Sequence, residues 1–283
     1  MTEVLPLQRG FAWLVGAGPG HPDFLTLRGL RALEGAEVVL FDALLDEAFF
    51  DLFPTNAEAL FVGKRAGEHS VGQAAINALL VAKVREGRKV VRLKGGDPFL
   101  FGRGGEEALA LRDAGLPFEV VPGVSALNGV AGAAGIPLTH RGLSREVRIL
   151  EGHGLLAEER DWSELARFRG TLVLFMATGT LAAIARRLLA HGADPDLPLA
   201  LVEHGCTPKQ AIRLATLADA AAQRMRCRCD GPGIAYLGPT VSLQNLLAIP
   251  LSFPGSHVQA PARLPQTAGP ARPPRRRRER RAG

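Results

Sequence analysis

The chain has 283 residues, 47% of them hydrophobic, and a formal net charge of +6 at pH 7. It is long enough for two compact domains, and its three cysteines and seven histidines show neither disulfide nor metal-ligand spacing, so we expect no disulfide and no metal site. No apolar run approaches the roughly 20 residues that span a bilayer, and the first residues show no signal-peptide pattern. We therefore expect a soluble, cytoplasmic protein.

The N-terminal half alternates strand-like apolar runs with helical patterns, which is typical of a parallel sheet with helices on its faces. The predicted elements are strand 11–15, helix 25–34, strand 36–41, strand 60–62, a helix that starts near Ser70, strand 89–93, helix 106–113, strand 118–121 and helix 126–134. The spacing of Ser70 and Gln73 predicts a capping box at the start of the second helix.

The turn GAGPG, residues 16–20, is similar to a dinucleotide-binding turn. However, His21 stands where the third glycine of that fingerprint would be, and Pro19 lacks the backbone N–H that a pyrophosphate would use. These departures disfavour a nicotinamide-dependent oxidoreductase, which stays open as an alternative from another enzyme class.

The segment KGGDPFLFGRGGEE, residues 94–107, directly follows strand 89–93. Its adjacent glycines allow the backbone to lie against a ligand, Asp97 offers a carboxylate acceptor, and Pro98 fixes the chain after it. Open α/β sheets bind small molecules at loops that leave the carboxyl ends of strands. The segment therefore predicts a ligand-binding loop, with a ligand-free glycine-rich connection as the alternative.

A second series of strands and helices follows a predicted linker at 139–142 and suggests another α/β domain with a mixed sheet. Its elements are strand 147–150, strand 171–175, a helix near 180–190, strand 199–202 and strand 233–237. The ends of two of these strands, at Met176 and at residues 203–206, are candidates to face a cleft. Cys206 there is interpreted as a packed residue rather than a nucleophile.

The positive charge is concentrated at the C-terminus. Residues 251–283 hold eight arginines and one glutamate, a net charge of +7 against +6 for the whole chain, so the rest carries −1. This segment also has six of the twenty prolines and few large apolar residues. We predict a disordered, solvated tail, and we favour it over a nucleic-acid-binding segment. The predicted division is therefore 1–138, 139–250 and a tail at 251–283.

Several of these segments together resemble the uroporphyrinogen-III C-methyltransferases of the tetrapyrrole methylase family. The resemblance covers about residues 11–250 and rests on VGAGPG (15–20), FDAL (41–44), GKR (63–65), the 94–107 loop, VPGVSA (121–126), GIPLTHR (135–141) and TPKQ (207–210), which occur in the family's order. It implies the tetrapyrrole methylase fold, in which two α/β domains enclose a cofactor cleft, and it implies a homodimer.

The resemblance also implies an activity. S-adenosylmethionine would methylate two carbons of uroporphyrinogen III, giving precorrin-2 by way of precorrin-1 for sirohaem or cobalamin biosynthesis, with S-adenosylhomocysteine as the second product. A methylase that acts on a later precorrin is the alternative within the family. The chain has no room for the dehydrogenase and ferrochelatase domain of bifunctional sirohaem synthases, so we expect methylation alone.

The family's functional positions map onto residues of this sequence. By resemblance, Asp42 is the proton acceptor and Lys64 the proton donor. Because the substrate carries eight carboxylates, Arg65, Arg103 and Arg141 are candidates to bind it. Positions that match the family's cofactor contacts are Pro19, Gly95, Gly96, Asp97, Leu100, Ser125, Ala126, Met176 and Gly205. Three residues depart from the family's usual pattern: His21 in place of an acidic residue, Phe175 in place of tyrosine, and Ser125 in place of threonine, which keeps the hydroxyl.

Overall fold

The computed structural model describes residues 10–63, 72–157, 159–225, 231–247 and 257–259. The N-terminal part forms a five-stranded sheet whose paired strands are all parallel, as predicted. Its strands are β1 (Phe11–Gly16), β2 (Val38–Phe41), β3 (Glu58–Phe61), β4 (Lys89–Lys94) and β5 (Phe118–Val121). Their order across the sheet is β3-β2-β4-β1-β5.

Helices cover both faces of this sheet. They are α1 (Leu27–Glu34), α2 (Gln73–Arg85) and α3 (Gly104–Asp113). The apolar side chains of α2 and α3 pack on one face and those of α1 on the other. The predicted capping box is wrong: α2 begins after Gly72, which has no side chain to cap it, and Ser70 lies outside the described residues.

The connections of β1 and β4 leave the sheet in opposite directions. From β1 the chain crosses through α1 to β2 on one side, and from β4 it crosses through α3 to β5 on the other side. Because β1 and β4 are neighbours, their carboxyl ends flank the point at which the strand order reverses. In open α/β sheets this point is where ligands bind.

The C-terminal part forms a six-stranded sheet with parallel and antiparallel pairs, so the predicted mixed sheet is confirmed. Its strands are β6 (Val147–Glu151), β7 (Thr171–Phe175), β8 (Pro198–Glu203), β9 (Ala211–Thr216), β10 (Gly233–Leu237) and β11 (His257–Gln259). The order is β11-β9-β8-β10-β7-β6. The remaining helices are α4 (Ala126–Ala133), α5 (Trp162–Ala166), α6 (Leu181–Ala190), α7 (Leu217–Ala221) and α8 (Leu243–Leu247).

Helix α4 connects the two sheets. It follows β5 of the first sheet, yet Val130 and Ala131 belong to the apolar core on one face of the second sheet. The hydroxyl of Tyr236 on β10 donates to the Ala126 carbonyl at 3.2 Å. Helices α5, α6 and α7 cover the opposite face. A helix that precedes the predicted boundary at 138 therefore contributes to the second core, and the boundary itself stays a prediction.

Strands β9 and β11 were not predicted from the sequence. Strand β11 pairs in parallel with β9 from His257 to Gln259, so the predicted disorder of segment 251–283 does not hold at these three residues. The rest of that segment lies outside the described residues. Within the described part of the chain, no helix is long and apolar enough to cross a membrane.

The pairing of β11 with β9 predicts different outcomes for two truncations. Ending the chain after Ala260 removes all eight arginines of segment 251–283 and keeps the strand, so we expect an unchanged melting temperature and unchanged kinetics of the methylation that the resemblance implies. Ending it after Pro250 also removes β11, which we expect to lower the melting temperature by roughly 2–4 °C, as for a loss of about 1 kcal/mol. Equal melting temperatures would contradict the pairing. If the chain that ends after Ala260 loses activity at moderate salt, the arginines removed from it recruit an anionic substrate.

Candidate functional site

The loops that follow β1 and β4 are bonded to each other at the point where the strand order reverses. Gly18 and Gly96 exchange two backbone hydrogen bonds, with N···O distances of 3.2 and 2.6 Å. The backbone N–H of Ala17 donates to the Lys94 carbonyl at 2.8 Å. The two glycine-rich loops predicted to bind a ligand are therefore one structural unit at the carboxyl edge of the sheet.

Close backbone approach explains several of the glycines. A Cβ on Gly16 would lie 2.6 Å from the Cα of Gly123, and one on Gly20 would lie 2.6 Å from the Cys206 carbonyl oxygen. Both distances are shorter than Cβ atoms tolerate, so side chains are excluded where these segments meet. Gly96 has a φ of +69°, and a Cβ there would lie at ordinary contact distance, 3.8 Å, from the backbone nitrogen of Ala126. Bare backbone from four segments of the chain thus meets at the carboxyl edge of the first sheet, and we call this place the crevice.

Asp97 connects two of these segments. One carboxylate oxygen accepts from the Phe99 backbone N–H at 2.8 Å, and the other accepts from the Gly123 N–H at 3.1 Å. The sequence predicted this residue as a ligand acceptor, whereas its contacts in the structure fix the loop after β4 to the loop after β5. The half-buried carboxylate retains lone pairs that these two bonds leave available.

The loop between β8 and β9 reaches the crevice from the second sheet. The backbone N–H of His21 donates to the Cys206 carbonyl at 3.0 Å, while the His21 ring accepts from Asp23 N–H and caps a short turn. Buried Gln210 accepts from the Cys206 N–H at 2.8 Å and donates to the Ala133 carbonyl at 3.3 Å. Burial raises the pKa of the Cys206 thiol to about 12, so this cysteine is a packed residue, as predicted.

Backbone strain is concentrated around the same crevice. Six non-glycine residues among those described have positive φ, and five of them lie in the loops at the strand ends: Phe101, Arg103, Met176, His204 and Cys206. Each such residue costs roughly 1–3 kcal/mol, and this kind of strain clusters at functional sites. The strain was not predictable from the sequence, because none of the five is of the type that favours this conformation except histidine.

Other residues predicted to contact a cofactor lie at the start of α4 or on the rim of the crevice. Ser125 caps α4 by accepting from the Leu127 N–H at 3.1 Å, and a Cβ on Gly129 would lie 2.7 Å from the Pro19 ring. Met176 follows β7 and is exposed, while Leu100 is half-buried in the loop after β4. Gly205 lies against Val130 of α4.

Large apolar side chains are exposed on the rim of the crevice. They are Leu44 after β2, Phe99 and Phe101 after β4, and Met176 after β7. The ring of Phe101 contacts that of Phe175 with centroids 5.0 Å apart, which connects the two sheets across the opening. Phe175 therefore has an apolar contact at the position where the family usually has a tyrosine. Exposed apolar surface bordered by polar groups is typical of ligand-binding sites.

Asp42 lies at the carboxyl end of β2, and its two oxygens have different partners. Oδ1 accepts from the Leu44 N–H at 3.1 Å, and Oδ2 lies 3.3 Å from a terminal nitrogen of Arg92 on β4. The Arg92 Nε donates to Glu107 on α3 at 2.9 Å.

Lys94 also contacts Glu107, at 3.1 and 3.0 Å from its two oxygens. Burial, followed by repulsion from Arg92, lowers the pKa of Lys94, and Glu107 opposes that shift.

The structure brings only part of the predicted substrate-binding set to the site. Arg103 is exposed in the loop after β4 and forms a surface ion pair with Glu106 at 2.7 Å. Arg141 is exposed in the turn after α4, and none of the contacts among the described residues ties it to the crevice. Lys64 and Arg65 lie outside the described residues.

The sequence analysis assigned no role to three polar residues that are buried near the site: Arg92, Glu107 and Gln210. One signal for the first two was available. Arg92 and Lys94 are two residues apart in a strand, so they lie on the same face, and cations inside a parallel sheet require a buried anion. For Gln210 no such signal exists: its partner Cys206 is four residues away, but it is a backbone N–H, and its other partner Ala133 is 77 residues away.

Comparisons with known proteins agree with this geometry. Residues 13–221 match the family described as tetrapyrrole (corrin/porphyrin) methylases. A siroheme synthase of Acinetobacter baylyi is 47% identical over 242 residues, which are 84% of this chain and 52% of that protein. The chain thus spans about half the length of the curated relatives it matches.

Two similar solved structures are matched over nearly their whole length. The crystal structure of uroporphyrin-III C-methyltransferase from Thermus thermophilus is 42% identical with a TM-score of 0.72, covering 86% of this chain and 98% of that one. A complex of that enzyme with S-adenyl homocysteine is 41% identical with a TM-score of 0.71, covering 83% and 100%. The chain belongs to the family of tetrapyrrole (corrin/porphyrin) methylases.

Proposed function

We propose that the chain is an S-adenosylmethionine-dependent methyltransferase that converts uroporphyrinogen III to precorrin-2. The observation that carries this proposal is the close approach of bare backbone at Gly16, Gly96 and Gly123, at the point where the strand order of the first sheet reverses. It is supported by the 42% identity to a uroporphyrin-III C-methyltransferase over nearly all of that enzyme.

The residues of the crevice fit the proposed cofactor. A flat adenosine and a short amino-acid chain need backbone that approaches closely, which the glycines provide, and apolar surface, which Leu100 and Met176 provide. The positions proposed to hold the cofactor are Pro19, Gly95, Gly96, Asp97, Leu100, Ser125, Ala126, Met176 and Gly205. The chemistry that S-adenosylmethionine supplies when bound is a methyl group on a cationic sulfur.

The chain's own task is to align the substrate and to manage protons. Alignment of two reactants alone can lower a barrier by roughly 7–11 kcal/mol. Transfer of a methyl group to a fully substituted pyrrole carbon leaves a positive charge on the macrocycle, which becomes neutral by losing a proton from another atom. We assign acceptance of that proton to Asp42, whose side chain is 20% exposed at the strand end. Lys64 is the proposed donor of a proton to the macrocycle.

The substrate's carboxylates and its pyrrole rings would contact different parts of the site. We assign the carboxylates to Arg65, Arg103 and Arg141; for Arg103 this requires that a substrate carboxylate displace or share its exposed Glu106 partner. The exposed rim of Leu44, Phe99 and Phe101 suits the pyrrole rings.

Several broader expectations belong to the same proposal. We propose a division of the chain into 1–138, 139–250 and a tail at 251–283, a homodimer, and a cytoplasmic location. The product would enter sirohaem or cobalamin biosynthesis. The alternative within the family is methylation of a later precorrin.

One prediction concerns the proposed cofactor site. Replacing Asp97 by Ala removes the bond that fixes the loop after β4 to Gly123 and the bond to Phe99 within that loop. We therefore expect the affinity for S-adenosylhomocysteine to fall by about 10- to 150-fold, as for loss of a charge-assisted hydrogen bond. Isothermal titration calorimetry measures the change. Asp113→Ala, on the exposed end of α3, is the control and should bind normally. Unchanged affinity in Asp97→Ala would remove this residue from the site.

Mass spectrometry of ligands carried by the purified protein tests the enzyme class. We expect S-adenosylmethionine or S-adenosylhomocysteine. A nicotinamide cofactor in their place would support the oxidoreductase alternative, and co-purified nucleic acid would support a role for the arginine-rich tail. Finding either without a methyl-donor ligand, and without binding of added S-adenosylhomocysteine, would overturn the proposal.

A further inference from the structure

Strand β4, in the middle of the first sheet, carries two buried cations on one face. The side chains of Arg92 and Lys94 are each 4% exposed. Both contact Glu107 on α3, which is fully buried, and Gln73 of α2 approaches the same carboxylate at 3.4 Å. Two cations and one anion leave this cluster one negative charge short. Asp42, reached by Arg92, is the group that completes it.

Every nitrogen of the Arg92 guanidinium has an acceptor. Nε contacts Glu107, one terminal nitrogen donates to the carbonyls of Leu93 and Leu40 at 2.9 and 3.4 Å, and the other lies 3.3 Å from Asp42. The planar guanidinium is therefore fixed in orientation by the sheet and by α3. Because the Leu44 N–H binds the other oxygen of Asp42, both oxygens of this carboxylate are positioned by the protein.

A contribution to stability does not account for such a cluster. Replacing buried ion pairs by apolar residues of similar volume is often neutral or stabilising, and Val90 already fills the position two residues before Arg92 on the same face. A cation is needed at position 92 only if its contact with Asp42 matters.

We infer that Arg92 is a positioning residue for the reaction, which holds the Asp42 carboxylate in the orientation that accepts the substrate proton. This inference rests on the proposed function, in which Asp42 is the acceptor. The charged groups that face Asp42 from the elements described are Arg92 directly and Lys94 and Glu107 behind it. Lys64 lies outside the described residues.

The test is a double-mutant cycle in single-turnover methylation of uroporphyrinogen III with both reactants saturating. We expect Arg92→Met alone to lower the rate by about 10- to 100-fold, because a shift of about 1 Å in the position of a catalytic group such as the Asp42 carboxylate can cost this much. In an Asp42→Asn background we expect the same substitution to change the rate less than about twofold, since the group it positions is gone. Affinity for S-adenosylhomocysteine should be unchanged in all variants.

Lys94→Met is the matched control. It removes the other cation of the cluster, and it leaves the contact between Arg92 and Asp42 in place, so its effect should be the same in both backgrounds. Arg92→Met retains the ion pair between Lys94 and Glu107, which favours folding. If Arg92→Met does not fold, Arg92→Lys takes its place. Lysine keeps the positive charge but loses the contact with Asp42, so we expect its effect on the rate to depend on the Asp42→Asn background in the same way.

The outcomes distinguish the proposed role of Asp42 from the inferred role of Arg92. If Asp42→Asn is slow and Arg92→Met costs the same factor in both backgrounds, Arg92 is structural and only this inference fails. If Asp42→Asn methylates at the wild-type rate, the proposed role of Asp42 fails and the inference fails with it. If the Arg92 effect disappears in the Asp42→Asn background, the inference is supported.

Discussion

Replacing Asp42 by Asn is expected to lower the single-turnover rate of methylation by about 10²- to 10⁴-fold, the usual contribution of a positioned acid or base. Asparagine keeps the shape of the side chain and can still accept from the Leu44 N–H, but it cannot take up a proton. Because Asp42 is not among the positions proposed to hold the cofactor, binding of S-adenosylhomocysteine should not change.

Asp46→Asn is the control for this variant. Asp46 accepts a backbone N–H two residues ahead, as Asp42 does, but it caps a short turn and has no assigned role in the reaction. It should methylate at nearly the wild-type rate. A wild-type rate in Asp42→Asn as well would mean that Asp42 is a structural residue at the strand end and that water or another group accepts the proton.

Steady-state kinetics at varied substrate concentration extend the test to Lys64→Met, at the proposed donor. We expect a lower kcat and, because an ammonium group can also bind a substrate carboxylate, a higher KM. Asp42→Asn should mainly lower kcat. A rise in KM with unchanged kcat in Lys64→Met would assign this residue to substrate binding alone.

Replacing Glu107 by Gln is expected to lower the free energy of unfolding by about 3–5 kcal/mol, because it leaves buried cations without their shared anion. Arg92 retains Asp42 and two carbonyls, whereas Lys94 has no second anion among its contacts in the described structure. Urea unfolding followed by circular dichroism measures the change.

The adjacent residue Glu106 provides a matched control. It lies on the same turn of α3, but it is exposed and pairs with Arg103 on the surface, where ion pairs contribute little. Glu106→Gln should therefore unfold near the wild-type urea concentration. Equal and small changes in both variants would contradict the view that Glu107 neutralises the interior of the first sheet.

The parts of the fold that were predicted from sequence are those with strong local signals. Strands 118–121, 171–175 and 233–237 have the predicted bounds, because each is a short, mostly apolar run with Gly or Pro at or next to its start. Strand β9 was missed: its sequence AIRLAT contains a buried arginine, and only the pairing with Glu203 on β8 makes that residue compatible with a core. Such a partner lies too far along the chain for a local pattern to indicate.

In the candidate site, too, the predicted features are those with a local sequence signal. Its glycine-rich loops were predicted because their composition is a local signal, and their contact at Gly18 and Gly96 follows from the adjacency of β1 and β4. The bond from Asp97 to Gly123 was not predicted, because Gly123 follows the next strand along the chain, and the role of Asp97 as a ligand contact stays a prediction. The connection from Asp42 through Arg92 to Glu107 joins three separate elements. It depends on the order of strands in the sheet, which the sequence pattern left open.

The most direct test of the account is transfer of isotope-labelled methyl groups from S-adenosylmethionine to uroporphyrinogen III, followed by mass spectrometry of the tetrapyrrole. The account predicts an intermediate with one labelled methyl group and a final product with two, formed only when both reactants and the protein are present. Failure to label uroporphyrinogen III, while the protein binds S-adenosylhomocysteine and methylates a later precorrin, would contradict the proposed substrate.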